Sequence, residues 1–239
     1  MSAPSLPPIP PNTYFLSRDE DWHTAVWAHG TRAGALAEIA RHGLRPRQHM
    51  DSLGNWVDNP SAAHMVYLTT AYALHYAAAT EGAGLVTILQ VDQRQLAQNC
   101  VFADEDSYAQ SRVAGFEELE ARSLEERVSF WRDRLDMTDP QVSLRVLGNV
   151  TYKGIIPAEA VTRVRLLAEK EARALTLRIS DPVVSPENFK LLGGCNQRFV
   201  KWLLGHDTDL NDWFDRACRP SIPVMTLQEA VEYVQRERP

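Results

Sequence analysis

The sequence predicts an α+β fold, in which helices surround a β-sheet, and three observations lead to this prediction. Residues 26–92 alternate short apolar segments with amphipathic ones, residues 117–136 carry apolar side chains at helical spacing, and residues 227–236 form an amphipathic C-terminal helix. A chain of 239 residues is long enough for one large domain, or for one domain with an appendage. We divide it into a proline-rich N-terminal arm at 1–20, a domain at 21–180 and a C-terminal helical extension at 181–239.

Residues 26–92 predict three strands and two helices. In order, these are a strand ending in His29-Gly30-Thr31, a helix at 33–41 stopped by Gly43, a strand at 65–69, a helix at 71–80 and a strand at 85–92. The last strand is an almost continuous apolar run, which is typical of a strand covered on both faces.

The rest of the chain predicts more helices than strands. The predicted elements are a helix at 117–136 that Pro140 ends, strands at 142–147, 149–156 and 161–167, and helices around 188–192, 198–204 and 227–236. The strand at 161–167 alternates and suits an edge or half-buried position. In the helix at 117–136 the predicted inward residues are Leu119, Leu124, Val128 and Trp131. Thr226 and Glu229 form a capping box before the last helix.

Composition indicates a soluble globular protein, with 44% hydrophobic and 23% charged residues. No apolar run approaches the ~20 residues that span a bilayer, and the N-terminus lacks the pattern of a secretory signal. The three cysteines are widely spaced and form no CxxC pair, so we expect neither disulfides nor a metal site. A cytoplasmic location fits best.

The net charge of −6 is concentrated between residues 104 and 139, which carry 11 acidic and 5 basic side chains. This balance excludes a globally basic surface for nucleic acid. A local basic cluster follows the first helix, where a solvated turn and a nucleic-acid contact are both open; it comprises Arg41, His42, Arg45, Arg47 and His49.

Three residues at the end of the first strand are candidate ligand-binding groups. His29 precedes a glycine, so its ring can point outwards at the strand end while Gly30 keeps the backbone open for a ligand. The Thr31 hydroxyl adds a hydrogen-bonding group. The alternative is that His29 has a structural role in the core.

The second strand and the helix after it supply further candidates. Tyr67 lies near the end of its strand, and Thr69 directly precedes the turn into the helix that carries Tyr76. A histidine in one strand and a tyrosine in the next would suit a cleft that binds a flat, sugar-bearing ligand. For the tyrosines the alternative is packing in the core.

The series VWAHGT, then a helix ending in HGL, then VYLTTAYALHYAA, then GLVTILQVD, resembles the mono-ADP-ribosyltransferase family. It is especially similar to the small bacterial branch that includes rifamycin ADP-ribosyltransferases, and more distantly to RNA 2′-phosphotransferases and DNA-modifying relatives. The resemblance covers residues 26–92 and, more weakly, 149–163. It implies a split, bent, mixed β-core that binds NAD as co-substrate in its central cleft, with no metal.

The resemblance also implies roles for individual residues. His29 would hold the ribose and carboxamide side of NAD, and Tyr67 would stack on the nicotinamide; Gly30, Thr31, Thr69 and Tyr76 would line the same cleft. An acidic residue would stabilise positive charge as nicotinamide departs. In the family this acid often lies just before a segment like Val150 to Pro157, where this chain has Asn149.

Asparagine can hydrogen-bond a hydroxyl but carries no charge. The other candidates for the acid are Asp104, Glu105 and Asp106, whose alternative interpretation is a solvated acidic loop. The expected function is therefore transfer of ADP-ribose from NAD to a protein, nucleic acid or small molecule. Two alternatives remain: an RNA 2′-phosphotransferase-like enzyme, and a toxin- or antitoxin-like nucleotide-binding module that has lost the acid.

Overall fold

The computed structural model of the protein describes residues 25–49, 62–80, 82, 84–180, 197–206 and 219–237. The predicted N-terminal arm, the predicted helix at 188–192, Cys195 and Cys218 lie outside these residues. Within them the fold is a seven-stranded open sheet with several helices, which confirms the α+β class. All strand pairs recorded in the sheet are antiparallel, so the expectation of a mixed sheet is wrong.

The sheet has the strand order β4-β5-β2-β1-β3-β6-β7. Its strands are β1 (Trp27–Arg32), β2 (Met65–Thr69), β3 (Leu85–Val91), β4 (Val101–Ala103), β5 (Asn149–Lys153), β6 (Val161–Ala168) and β7 (Val224–Met225). All six residues of β1 pair with β3, whereas β1 and β2 share the single pair Ala28 and Thr69. The central sheet is therefore weakly joined between β1 and β2.

Helices cover both faces of the sheet and one end of it. They are α1 (Leu36–His42), α2 (Ala73–Ala78), α3 (Glu105–Ala109), α4 (Leu124–Arg132), α5 (Pro140–Val146), α6 (Glu169–Ser180), α7 (Gln197–Leu203) and α8 (Leu227–Glu237). One core lies between the sheet and helices α1 and α8, and a second lies between the sheet and helices α2, α6 and α7. A third, aromatic core joins α3 to α4.

The region between β4 and β5 differs most from the prediction. The expected helix at 117–136 is divided into two 3₁₀ turns, Glu117–Ala121 and Leu135–Met137, on either side of α4. Leu119, Val128 and Trp131 are buried as predicted. Leu124 is 46% exposed, because it is the first residue of α4 and follows the N-cap Ser123.

Pro140 begins a helix instead of ending one, and the predicted strand at 142–147 is wrong. The Asp139 carboxylate accepts a hydrogen bond from the Gln141 backbone N–H at 2.8 Å, which makes Asp139 the N-cap of α5. Proline suits the first helical turn because its fixed φ is already helical and its missing N–H has no partner to lose there.

The C-terminal residues contribute to the same sheet and the same cores as the rest of the chain. Strand β6 pairs with β3 along one edge and with β7 along the other, so it does not lie at the edge of the sheet. The capping box of Thr226 and Glu229 is confirmed at the start of α8. The Arg165 guanidinium, which is buried, donates to the carbonyls of Leu203 and Ile222 and so ties the C-terminal part to β6.

Three residues of the predicted basic cluster lie around the Glu38 carboxylate, and two of them, Arg41 and His42, are the last residues of α1. Arg41 and Arg45 lie 2.8 and 3.4 Å from the Glu38 carboxylate, and His42 lies 3.7 Å from it. Among the described helices, none is both long and apolar enough to cross a membrane.

Candidate functional site

The site begins where β1 and β2 separate. The two strands pair at Ala28 and Thr69, and two residues before Thr69 the Tyr67 carbonyl is contacted by the His29 side chain. The His29 Nδ1 atom lies 2.8 Å from the Tyr67 carbonyl oxygen. The structure therefore brings together the histidine and the tyrosine that the sequence singled out, through an imidazole-to-backbone hydrogen bond.

This hydrogen bond fixes the chemical state of His29. A carbonyl oxygen only accepts, so Nδ1 must carry the proton, and the neutral ring then has its lone pair on Nε2. Burial lowers the pKa of His29, and the hydrogen bond to Tyr67 offsets part of that effect. At neutral pH His29 thus offers a hydrogen-bond acceptor.

The Tyr67 phenol is held at both its donor and its acceptor side. It donates to Glu105 Oε1 at 2.5 Å and accepts from the Ala62 backbone N–H at 2.7 Å. Burial and the adjacent Glu105 carboxylate raise the pKa of Tyr67 well above its ordinary value. The ring is half-buried and packs against the cluster of Ala62, Met65 and Leu135, so its orientation is set by the protein alone.

The acidic triplet after β4 is not a solvated loop, because two of its three side chains are buried. Asp104 is the N-cap of α3 and accepts from the Ser107 backbone N–H and hydroxyl, both at 2.8 Å. Burial, then the charges of Asp106 and Glu105, raise the pKa of Asp104 well above its usual range. Glu105 is 1% exposed, whereas Asp106 is exposed to solvent.

Asn149 is the first residue of β5 and pairs with Thr69. Its side chain is buried, and its Nδ2 donates to the Tyr76 hydroxyl at 3.1 Å. Asn149 therefore contacts Thr69 of β2 and Tyr76, which lies on α2. Among the described residues, its Oδ1 atom has no hydrogen-bond partner.

Gly30 and Thr69 have roles in packing and in helix initiation that the sequence interpretation did not include. A Cβ on Gly30 would lie 2.1 Å from the Ala73 carbonyl oxygen, so the space assigned to a ligand on that face is filled by the backbone of α2. The Thr69 hydroxyl accepts from the backbone N–H groups of Ala71 and Tyr72, which starts the turn into α2. Thr31 is half-buried and lies opposite Thr87 in β3.

Sequence reasoning missed two residues that position the site. Arg132 in α4 forms an ion pair with Glu105, with Nε 3.5 Å from Oε1. The buried Ser143 hydroxyl accepts from the Asp104 backbone N–H and donates to the Asn149 carbonyl, which ties the acidic triplet to β5. The Arg132–Glu105 and Ser143–Asp104 contacts have no local sequence signal, since each joins residues far apart in the chain.

Comparisons of the chain with protein families, with curated proteins and with solved structures find no match. Within the described part of the chain, no group of three or more His, Cys, Asp and Glu side chains is arranged to hold a metal ion.

Proposed function

We propose that the protein is an NAD-consuming ADP-ribosyltransferase whose nucleotide cleft lies at the separation of β1 and β2. The observation that carries this proposal is that three residues with a hydrogen-bond acceptor are each tied to β2: His29 bonds the Tyr67 carbonyl, Glu105 bonds the Tyr67 hydroxyl, and Asn149 pairs with Thr69. The acceptors are His29 Nε2, Glu105 Oε2 and Asn149 Oδ1.

Two of these acceptors, on Glu105 and Asn149, are buried atoms that a donor from a bound molecule would satisfy. Glu105 Oε2 and Asn149 Oδ1 are buried and have no hydrogen-bond partner among the described residues. A buried polar atom without a partner costs about 1–3 kcal/mol, which a ligand with matching donors recovers. Ribose hydroxyls and a carboxamide NH₂ are such donors, and both occur on the nicotinamide half of NAD.

The proposed reaction breaks the bond between the ribose C1′ and the nicotinamide nitrogen. The bonding pair leaves with nicotinamide, which becomes neutral, and positive charge develops on the ribose. A nucleophile of the acceptor then bonds to C1′ and loses a proton. The acceptor is a protein, a nucleic acid, a small molecule or, in simple hydrolysis, water.

Among the acidic candidates, Glu105 suits the charge-stabilising role best. Both hydrogen bonds from Ser107 go to Asp104 Oδ1, and burial favours the protonated form of this carboxyl. Asp106 is exposed, where water weakens its field. Glu105 combines burial with an oxygen that has no hydrogen-bond partner within the described part of the chain. A fixed charge in a site shielded from water stabilises a developing cation more than an exposed charge does.

Tyr67 suits the role of an aromatic platform. Its hydroxyl is committed to Glu105 and to Ala62, so the ring does not have to be ordered when a ligand binds. An aromatic stacking contact contributes roughly 0.5–1.5 kcal/mol beyond burial.

The test is release of nicotinamide from NAD by the purified chain, with and without cell extract. We expect His29→Ala and Glu105→Gln to lower the rate by at least about tenfold, a loss of roughly 1.4 kcal/mol of transition-state stabilisation. Asp106→Asn is the matched control, because it removes the same charge one residue away on the exposed side. Release that is unchanged in His29→Ala and Glu105→Gln would refute the proposal.

One observation favours a second function, a nucleotide-binding module without turnover. The residue on β5 is a neutral amide bonded to Tyr76, and the Glu105 carboxylate already accepts from Tyr67. If this second function is correct, calorimetry will show that NAD binds the wild-type chain, and no nicotinamide will be released. Asn149→Asp, which places a charge at the same position, would then produce release.

A further inference from the structure

Arg132 approaches the buried Glu105 carboxylate from a different helix. Glu105 begins α3, and Arg132 ends α4, so their contact closes the gap between the two helices. The Arg132 side chain is 25% exposed, whereas that of Glu105 is 1% exposed. Solvent screens the Coulomb attraction of a pair buried to this extent less than that of a surface ion pair.

Arg132 and Tyr67 approach the same oxygen of Glu105. The Tyr67 hydroxyl donates to Oε1 at 2.5 Å, and Arg132 Nε lies 3.5 Å from Oε1. The Arg132 contact is an ion pair without hydrogen-bond geometry, so Tyr67 supplies the hydrogen bond to Oε1 and Arg132 supplies a positive charge beside it. The other oxygen, Oε2, keeps its acceptor capacity.

The helix that carries Arg132 is held in place next to α3. Trp131, the residue before Arg132, packs edge-to-face on Tyr108 of α3 with ring centroids 4.7 Å apart. The N-terminus of α4 is closed by the capping box of Ser123 and Glu126. Two contacts, Trp131 with Tyr108 and Arg132 with Glu105, therefore fix α4 against α3 within one turn of each helix.

We propose that Arg132 is a positioning residue, which orients the Glu105 side chain so that Oε1 binds Tyr67 and Oε2 faces the substrate. This inference rests on the proposed function of Glu105. Arg132 does not touch the substrate; it acts through the carboxylate, whose charge it balances beside Asp104 and Asp106.

The test compares Arg132→Gln and Arg132→Lys with the control Arg112→Gln. Arg112 lies in the same acidic segment, its side chain is 89% exposed, and its partner is Glu120. For nicotinamide release from NAD, we expect Arg132→Gln to lower kcat by about ten- to a hundredfold, the range expected for a displaced catalytic group, with KM changed less than about twofold. Arg132→Lys restores part of the loss, and Arg112→Gln has no effect.

A second measurement does not depend on activity. The Cζ resonance of Tyr67 in ¹³C-tyrosine-labelled protein, assigned with Tyr67→Phe, reports the hydrogen bond to Glu105. We expect it to shift in Arg132→Gln, to stay near its wild-type position in Arg132→Lys, and to be unaffected by Arg112→Gln. In a Glu105→Gln background, which has no carboxylate to orient, Arg132→Gln should produce no further shift.

These measurements separate the two proposals. Absence of nicotinamide release from wild type, with the Tyr67 resonance shifted as expected, refutes the NAD reaction and supports the positioning of Glu105 by Arg132. An unmoved Tyr67 resonance in Arg132→Gln overturns the positioning role, as does an equal shift in the presence and absence of the Glu105 carboxylate. If Arg132→Gln does not fold, the comparison uses the Arg132→Lys and Glu105→Gln proteins instead. If the Tyr67 resonance shifts as far in Arg132→Lys as it does in Glu105→Gln, the positioning role of Arg132 is also overturned.

Discussion

Replacement of Gly30 by alanine tests whether this glycine serves packing or ligand binding. Helix α2 crosses β1 at Gly30, and a Cβ there would lie 2.1 Å from the Ala73 carbonyl oxygen and 2.7 Å from the Ala77 nitrogen. Ordinary contacts of a Cβ begin at 3.4 Å. The added methyl group therefore requires a displacement of about 1 Å between the helix and the strand, which is a severe case of overpacking.

The cost follows from what surrounds the new atom. Both obstructing atoms belong to the backbone, so no side chain can rotate away, and Ala73 and Ala77 are fully buried. Overpacking costs typically 1–3 kcal/mol, and we expect about 3 kcal/mol for Gly30→Ala because the obstruction is rigid. For a chain of this size that corresponds to a fall in Tm of roughly 6–12 °C.

Urea and thermal unfolding followed by circular dichroism measure this cost, and Gly115→Ala is the control. Gly115 has a φ of +84° but no atom within 4 Å of its Cβ position, so only backbone strain of about 1 kcal/mol is expected there. If Gly30→Ala is as stable as Gly115→Ala, the packing argument is wrong. Loss of NAD binding with unchanged stability would instead support the ligand-facing role predicted from the sequence.

Three further predictions concern titrating groups. Because the pKa of Tyr67 is raised in the folded state, its contribution to stability is complete below pH 10 and declines above it. In urea titrations from pH 9 to 11, Tyr67→Phe should therefore lose less stability than wild type. Equal losses in the two proteins would contradict this prediction. The pKa of His29 is lowered in the folded state, so the free energy of unfolding falls as the pH drops below 6.5. Between pH 7 and 5 this fall should be shallower in His29→Gln than in wild type. An unchanged slope would argue against the lowered pKa. The pKa of Asp104 is raised, so its ionised form is less favourable in the folded protein than in the unfolded chain, and the stability that this group contributes declines as the pH rises above about 4. Asp104→Asn, which keeps an N-cap acceptor, should therefore have a higher Tm than wild type at pH 7, whereas Asp104→Ala should lose about 1 kcal/mol. A lower Tm for the asparagine variant would show that the charge is needed.

The elements that the sequence predicted well are those whose signals are local. Strand β2 occupies the predicted residues, and Gly43 ends α1 with a φ of +75°. The capping box of α8 is formed by side chains three residues apart. Such features depend on neighbouring residues, so one sequence contains the information that determines them.

Glu105 could be named as a candidate from the sequence, but its environment could not be derived. An acidic triplet in a strongly acidic region is usually solvated, and nothing near residue 105 indicates burial. The contacts that bury it come from Tyr67, which precedes it by 38 residues, and from Arg132 in another helix. The strand at 142–147 was mispredicted for a related reason: its apolar pattern fits both element types, and the capping of α5 by Asp139 determined the outcome.

The arrangement of the three acceptors explains why the candidate site needs most of the described fold. His29 is held at the separation of β1 and β2, Asn149 by Tyr76 of α2, and Glu105 by Tyr67 and Arg132. In each residue one polar atom is bound to the protein. Of the other atoms, Glu105 Oε2 and Asn149 Oδ1 have no hydrogen-bond partner in the part of the chain that the structure describes, and His29 Nε2 carries the lone pair of the neutral ring. Protein-bound atoms fix the geometry, so the remaining acceptors are oriented before a ligand arrives and a ligand loses less entropy on binding. A single substitution at a supporting residue, such as Arg132→Gln, should therefore affect the site while leaving all three acceptor residues in place.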